Sequence, residues 1–104
     1  MDKYIITLIG FDYENKTDNF EVINDMNTES FAYETELSLQ QIKNQLNEFI
    51  SDVFDKLGEN DKEELVDGAF SKCKLPFAVS LRQMAMDNEG LTYRIDDYGC
   101  YEDE

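Results

Sequence analysis

The stretch from Ser38 to Leu57, SLQQIKNQLNEFISDVFDKL, constrains the fold of this chain more than any other. Apolar residues fall at Leu39, Ile42, Leu46, Phe49, Ile50, Val53, Phe54 and Leu57. That spacing keeps one side apolar at a period of 3.6 residues, which predicts an amphipathic helix of five turns. Ser38 with Gln41 fits a capping box, in which each side chain bonds the other's backbone N–H. Gly58 follows the last apolar residue, where a left-handed C-cap favours a residue without a Cβ. A stripe of two Phe among aliphatics is a core face rather than a cofactor groove.

Ahead of this helix the pattern changes from helical to alternating. Tyr4 to Tyr13 is apolar on both faces, with Tyr4, Ile6 and Leu8 on one and Ile5, Ile9 and Phe11 on the other. Such a strand belongs near the sheet centre, or has its second face partly covered. Glu14 to Asn19 reads as a turn, Phe20 to Asp25 as a second strand and Asp25 to Glu29 as another break. From Ser30 to Leu37, Phe31, Tyr33, Thr35 and Leu37 alternate with Ala32, Glu34 and Glu36, as in a half-buried strand. The first 37 residues thus form a three-stranded meander.

Beyond Gly58, Asn60 with Glu63 fits a second capping box. Leu65, Val66, Ala69, Phe70 and Cys73 keep helical spacing to about Lys74, although Gly68 costs about 1 kcal/mol relative to Ala. Pro76 to Glu89 admits two readings. Pro76 can open a helix with Phe77, Leu81, Met84 and Ala85 on one face and Gly90 as its stop. Alternatively, Phe77 to Met86 is a strand turned back by the DNEG sequence. The helix-forming Ala, Leu, Arg, Gln and Met favour the helix. Leu91, Tyr93 and Ile95 then alternate through a last strand, and the acidic tail from about residue 98 is expected to be mobile at its end. Residues 1–104 make one small α+β domain. Its antiparallel sheet has three or four strands, a meander plus a C-terminal strand, with two or three helices on one face.

The chemistry is bounded mostly by what is missing. The chain has no histidine, so Ser-His and Cys-His nucleophile pairs are excluded. Its glycines, at 10, 58, 68, 90 and 99, form neither GxGxxG nor a P-loop. Cys73 and Cys100 belong to no CxxC pair, which disfavours zinc and dithiol chemistry. Two free thiols are expected, with a single disulfide as the alternative. DKLGENDKEELV from Asp55 misplaces the EF-hand glycine and ligands, and reads as a helix end followed by a helix start. No carboxylate pair is marked out for glycosidase chemistry. No enzyme, cofactor or metal site is expected. No stretch is long and apolar enough to span a bilayer, and the N-terminal apolar run lacks a basic leader and a cleavage site. A cytoplasmic protein is expected.

Charge is the remaining clue. Twenty-four acids against nine bases give a formal net charge of −15. Self-repulsion at that density opposes folding, though acids also favour solubility. Direct nucleic-acid binding is disfavoured, because phosphates require Lys and Arg. A helix-turn-helix is disfavoured too, because NDKEELVD has the wrong sign for a recognition helix. The acids concentrate in three segments. Residues 12–36 hold Asp12, Glu14, Asp18, Glu21, Asp25, Glu29, Glu34 and Glu36 against Lys16. Residues 59–67 hold five acids against Lys62, and 87–104 hold seven against Arg94. Everything else sums to +2, so the long helix is not the charged element. Glu34 and Glu36 would project from one strand face, and acidic turns could extend that row. Fixed carboxylates can imitate a phosphate backbone and are drawn to clefts lined by Lys and Arg. Asp96 and Asp97 join them, and Tyr13, Tyr33, Tyr98 and Tyr101 could add contact area or stand in for bases. A plain solvated surface is the competing account of the same charges.

On these acidic segments the chain resembles, in type, the nucleic-acid mimics made by phages and mobile elements. They include uracil-DNA glycosylase inhibitors, anti-restriction proteins and several anti-CRISPR inhibitors. The resemblance rests on charge placement in a short, His-free α/β chain and on no motif. It implies a stoichiometric inhibitor, acting in the host cytoplasm if phage-encoded. Its partner would be a basic, nucleic-acid-binding enzyme such as a host defence nuclease. An immunity or antitoxin-like module covering a basic toxin is the alternative, and an acidic structural domain the third.

Overall fold

A computed structural model describes residues 2–11 and 27–98. The described chain has three strands, β1 (Asp2–Phe11), β2 (Asn27–Thr35) and β3 (Gly90–Asp97). Three helices, α1 (Leu39–Phe54), α2 (Lys62–Lys72) and α3 (Ala78–Asp87), lie between β2 and β3 in sequence. The strands form one antiparallel sheet in the order β2-β1-β3. This is the α+β class that the change of periodicity predicts. The doubly apolar β1 is the central strand, with its inner face at Tyr4, Ile6 and Leu8. The second strand of the expected meander (Phe20–Asp25), the turn before it, Cys100 and the end of the tail lie outside the described residues.

One core joins the sheet to the helices. Ile6, Leu8 and Leu91 pack with Ile42, Leu46, Phe49 and Val53 of α1, Val66 and Ala69 of α2, and Leu81, Met84 and Ala85 of α3. The edge strand β2 is covered differently. Phe77 stacks on Phe31 with ring centroids 5.1 Å apart and meets Tyr33 edge-on at 5.6 Å. Such ring pairs add about 0.5–1.5 kcal/mol beyond the area they bury.

The Ser38–Gln41 capping box forms. Ser38 Oγ accepts from the Gln41 N–H at 3.2 Å, and Gln41 Oε1 accepts from the Ser38 N–H at 2.8 Å. Ser38→Ala breaks half of it. The expected loss is about 1 kcal/mol of unfolding free energy in urea.

Several boundaries depart from the sequence reading. Helix α1 ends at Phe54 with Asp55 as its C-cap, so Leu57 lies outside it. Gly58 is not that cap. It has φ 101 in the following turn, where Leu57 bridges Asn60. The Asn60–Glu63 box does not form, because α2 begins one residue later, with Asp61 at the N-cap and no side-chain cap bond. Glu63 and Glu64 instead occupy its first turn, where the helix dipole favours acids. Pro76 precedes α3, whose N-cap is Phe77. Gly90 opens β3 rather than stopping α3, which ends at the Asn88 C-cap, and residue 90 is glycine because the Phe11 ring leaves no room there for a Cβ. β2 starts at Asn27, inside the expected break, because its ladder with β1 extends to the Gly10–Asn27 pair. It stops at Thr35, where the Leu37 N–H donates to Thr35 Oγ1 at 3.0 Å and bends the chain. Glu36 therefore lies past the strand and does not continue a row with Glu34.

Candidate functional site

Antiparallel pairing decides which charges meet. β1 begins where β2 and β3 finish. Asp2 pairs with Thr35, Lys3 with Glu34, Tyr4 with Asp97 and Ile5 with Asp96. Asp2, Glu34, Glu36, Asp96 and Asp97 therefore gather at one end of the sheet, beside Tyr98. They come from three stretches distant in sequence. Alternation divides them between the faces. Glu34 and Asp96 project from the outer face with Lys3 and Arg94, while Asp2 and Asp97 project on the helix side. Glu29 is placed elsewhere: it pairs with Leu8, five residues and about 17 Å along β2 from Glu34. Asp12, Glu14, Asp18, Glu21, Asp25 and Tyr101 lie outside the described residues, as does Tyr13.

Two cations sit within this end. Lys3 Nζ lies 5.0 Å from the centroid of the Tyr98 ring, a cation–π contact that orients the phenol. Arg94 Nε meets Asp96 Oδ2 at 2.9 Å. Both partners of that pair are well exposed to solvent, so it contributes less than about 1 kcal/mol. Five carboxylates against Lys3 and Arg94 leave the end of the sheet acidic.

Acids on the helices have other roles. Arg82 Nη2 lies 2.7 Å from Asp67 Oδ1 and ties α2 to α3. Asp52 lies 3.7 Å from Lys72 and 4.0 Å from Lys56. Between α1 and α2 a shallow groove of about 170 Å³ is floored by Phe49 and Ala69 and rimmed by Glu48, Asp52, Lys72 and Lys74. Cys73 opens onto it as a free thiol. Burial pushes that thiol above its usual range, so it is held protonated and is a poor nucleophile at neutral pH. Burial likewise raises the Tyr93 phenol, which donates to Asn47 Oδ1 at 2.8 Å and fixes β3 on α1. Among the described residues, no group of His, Cys, Asp or Glu could hold a metal ion. No helix there is long and apolar enough to cross a membrane.

No protein-family model, curated protein or solved structure matches this chain. The sequence reading missed Asp2 and Lys3. No local pattern marks them, and only the sheet register places them beside Glu34 and Asp97.

Proposed function

We propose that this chain is an acidic protein inhibitor that occupies the nucleic-acid-binding site of a basic enzyme, of the kind used in host defence. The observation that carries this reading is the convergence of Asp2, Glu34, Glu36, Asp96 and Asp97, with Tyr98, at one end of the sheet. Asp2, Glu34, Asp96 and Asp97 are fixed on the sheet and need little ordering on binding, so their charge is preorganised for a cationic cleft. Solubility alone accounts for a large total charge, but it gives no reason for acids from three stretches to meet. The inhibitor has no catalytic role in this reading and acts by excluding the substrate.

Affinity capture tests it. The chain is immobilised and exposed to host lysate at low and at high salt, and the bound protein is challenged with duplex DNA and with RNA. The expected partner is a nucleic-acid-binding protein that is retained at low salt, weakened at high salt and displaced by nucleic acid. Retention of a small basic toxin that nucleic acid does not displace would support the immunity reading instead. A partner held equally at both salts would contradict the electrostatic account.

A further inference from the structure

Among the described residues, β2 pairs with β1 alone and so forms one edge of the sheet. Exposure agrees with that place. On the outer face, Ile5, Thr7 and Ile9 of β1 are shielded by strands on both sides, and Thr7 is only 7% exposed. Their partners across the β1–β2 ladder, Ala32, Ser30 and Thr28, are all exposed. An edge strand of nine residues presents backbone N–H and C=O groups along its open side. Proteins commonly blunt such an edge with Lys, Pro or a bulge. β2, NTESFAYET, contains no Lys, Arg or Pro. Its register with β1 also runs without a bulge, from the Asp2–Thr35 pair to the Gly10–Asn27 pair.

Charge and apolar surface both mark this edge. Glu29 and Glu34 are the strand's only charged residues, and alternation sets them on opposite faces. Between them Phe31 and Tyr33 stand half-buried on the helix side, against Phe77. The exposed large hydrophobics among the described residues are Leu39, at 38%, and Val79, at 70%. Leu39 opens α1 just past the end of β2, and Val79 stands two residues beyond Phe77.

We infer that β2 is a docking edge, to which an extended basic segment of the partner protein adds as a further strand. Main-chain hydrogen bonds supply affinity in this mode, and alternate side chains supply specificity. The matching segment carries Lys or Arg beside Glu29 and Glu34 and apolar side chains beside Phe31 and Tyr33. A second copy of this chain fits the edge badly. β2 offers no cation to either Glu, and each copy brings a formal charge of −15. The two acids thus keep copies of the chain apart while admitting a basic strand. The inference rests on the proposed function for the basic character of the partner, and it names how that partner is held.

The test is an NMR titration of the full chain, labelled with nitrogen-15, at low salt. Two synthetic peptides of alternating Val and Thr are compared. One carries two Lys at the spacing of Glu29 and Glu34, and the other carries Glu at the same positions. With the Lys peptide, amide shifts across Thr28 to Glu34 are expected to be at least threefold larger than those at Thr92 and Arg94 on the opposite edge. The Glu peptide is expected to bind at least tenfold more weakly. Glu29→Gln with Glu34→Gln is expected to weaken the Lys peptide at least threefold. No shift in β2, equal shifts at the two edges, or equal binding of the two peptides would overturn the docking edge. Shifts in β2 that grow with protein concentration alone would overturn it too, and would assign the edge to a second copy. The titration needs no captured partner, so it fails separately from the inhibitor reading. A captured nucleic-acid-binding enzyme with a silent β2 would remove the docking edge alone, and a responsive β2 without such an enzyme would remove the inhibitor alone.

Discussion

Phe49→Ala is expected to remove about 3–5 kcal/mol of unfolding free energy. Phe49 is 3% exposed near the middle of α1 and stands between the sheet-facing core and Ala69 of α2. Truncation loses the transfer free energy of a phenyl ring. It also leaves a cavity that α2 cannot fill without moving the Asp52–Lys72 and Asp67–Arg82 ion pairs. Domains of this size have about 5–15 kcal/mol to lose, so the variant should be close to the edge of folding. Urea unfolding followed by circular dichroism measures it. A shifted midpoint with an unchanged slope is expected. A loss below about 1 kcal/mol would show that Phe49 is not a core residue. Loss of partner binding with stability intact would move the functional surface onto α1.

Much of the fold was legible in the sequence because its strongest patterns are local. The α1 stripe and its capping box specify a helix by spacing alone. Alternation around Phe31, Tyr33 and Thr35 specifies a strand, and the two apolar faces of Tyr4 to Phe11 narrow the other to a central strand or one with a covered second face, of which the sheet order shows the first. The errors fall where a distant partner decides. Gly90 reads as a helix stop, yet it is small because the Phe11 ring lies against it. The burial of Asn88, on which no sequence pattern bears, is likewise decided at a distance, because Gly10, Asn27 and Met84 O surround it. The acids show the same division. Their total and their segments are visible in one dimension. The row expected through Glu34 and Glu36 fails because the Thr35 side chain ends β2 between them. The cluster that does form depends on pairing of Asp2 and Lys3 with residues more than thirty positions away.

The second large effect concerns that cluster. Glu34→Lys with Glu36→Lys changes the local charge by four units at the acidic end of the sheet. A stability cost of up to about 1 kcal/mol is expected, and it arises chiefly because the first substitution sets a second cation opposite Lys3 across the β1–β2 ladder. The cost to binding should be far larger, because reversed charges repel a basic cleft as well as losing their attraction to it. A matched control, Glu59→Lys with Glu63→Lys, makes the same change in net charge near the start of α2. That site adjoins Lys62, whose Nζ donates to Asn88 O, and Asn88 accepts from Asn27 at the start of β2, so it lies at the other end of the sheet.

The most direct measurement is therefore the affinity of these two double variants for the captured partner, at low and at high salt. The account predicts at least a tenfold loss for Glu34→Lys/Glu36→Lys at low salt, a smaller loss at high salt and less than a threefold loss for the control. Unchanged affinity in the first variant, or equal losses in both, would contradict the claim that the acidic end of the sheet is the binding surface.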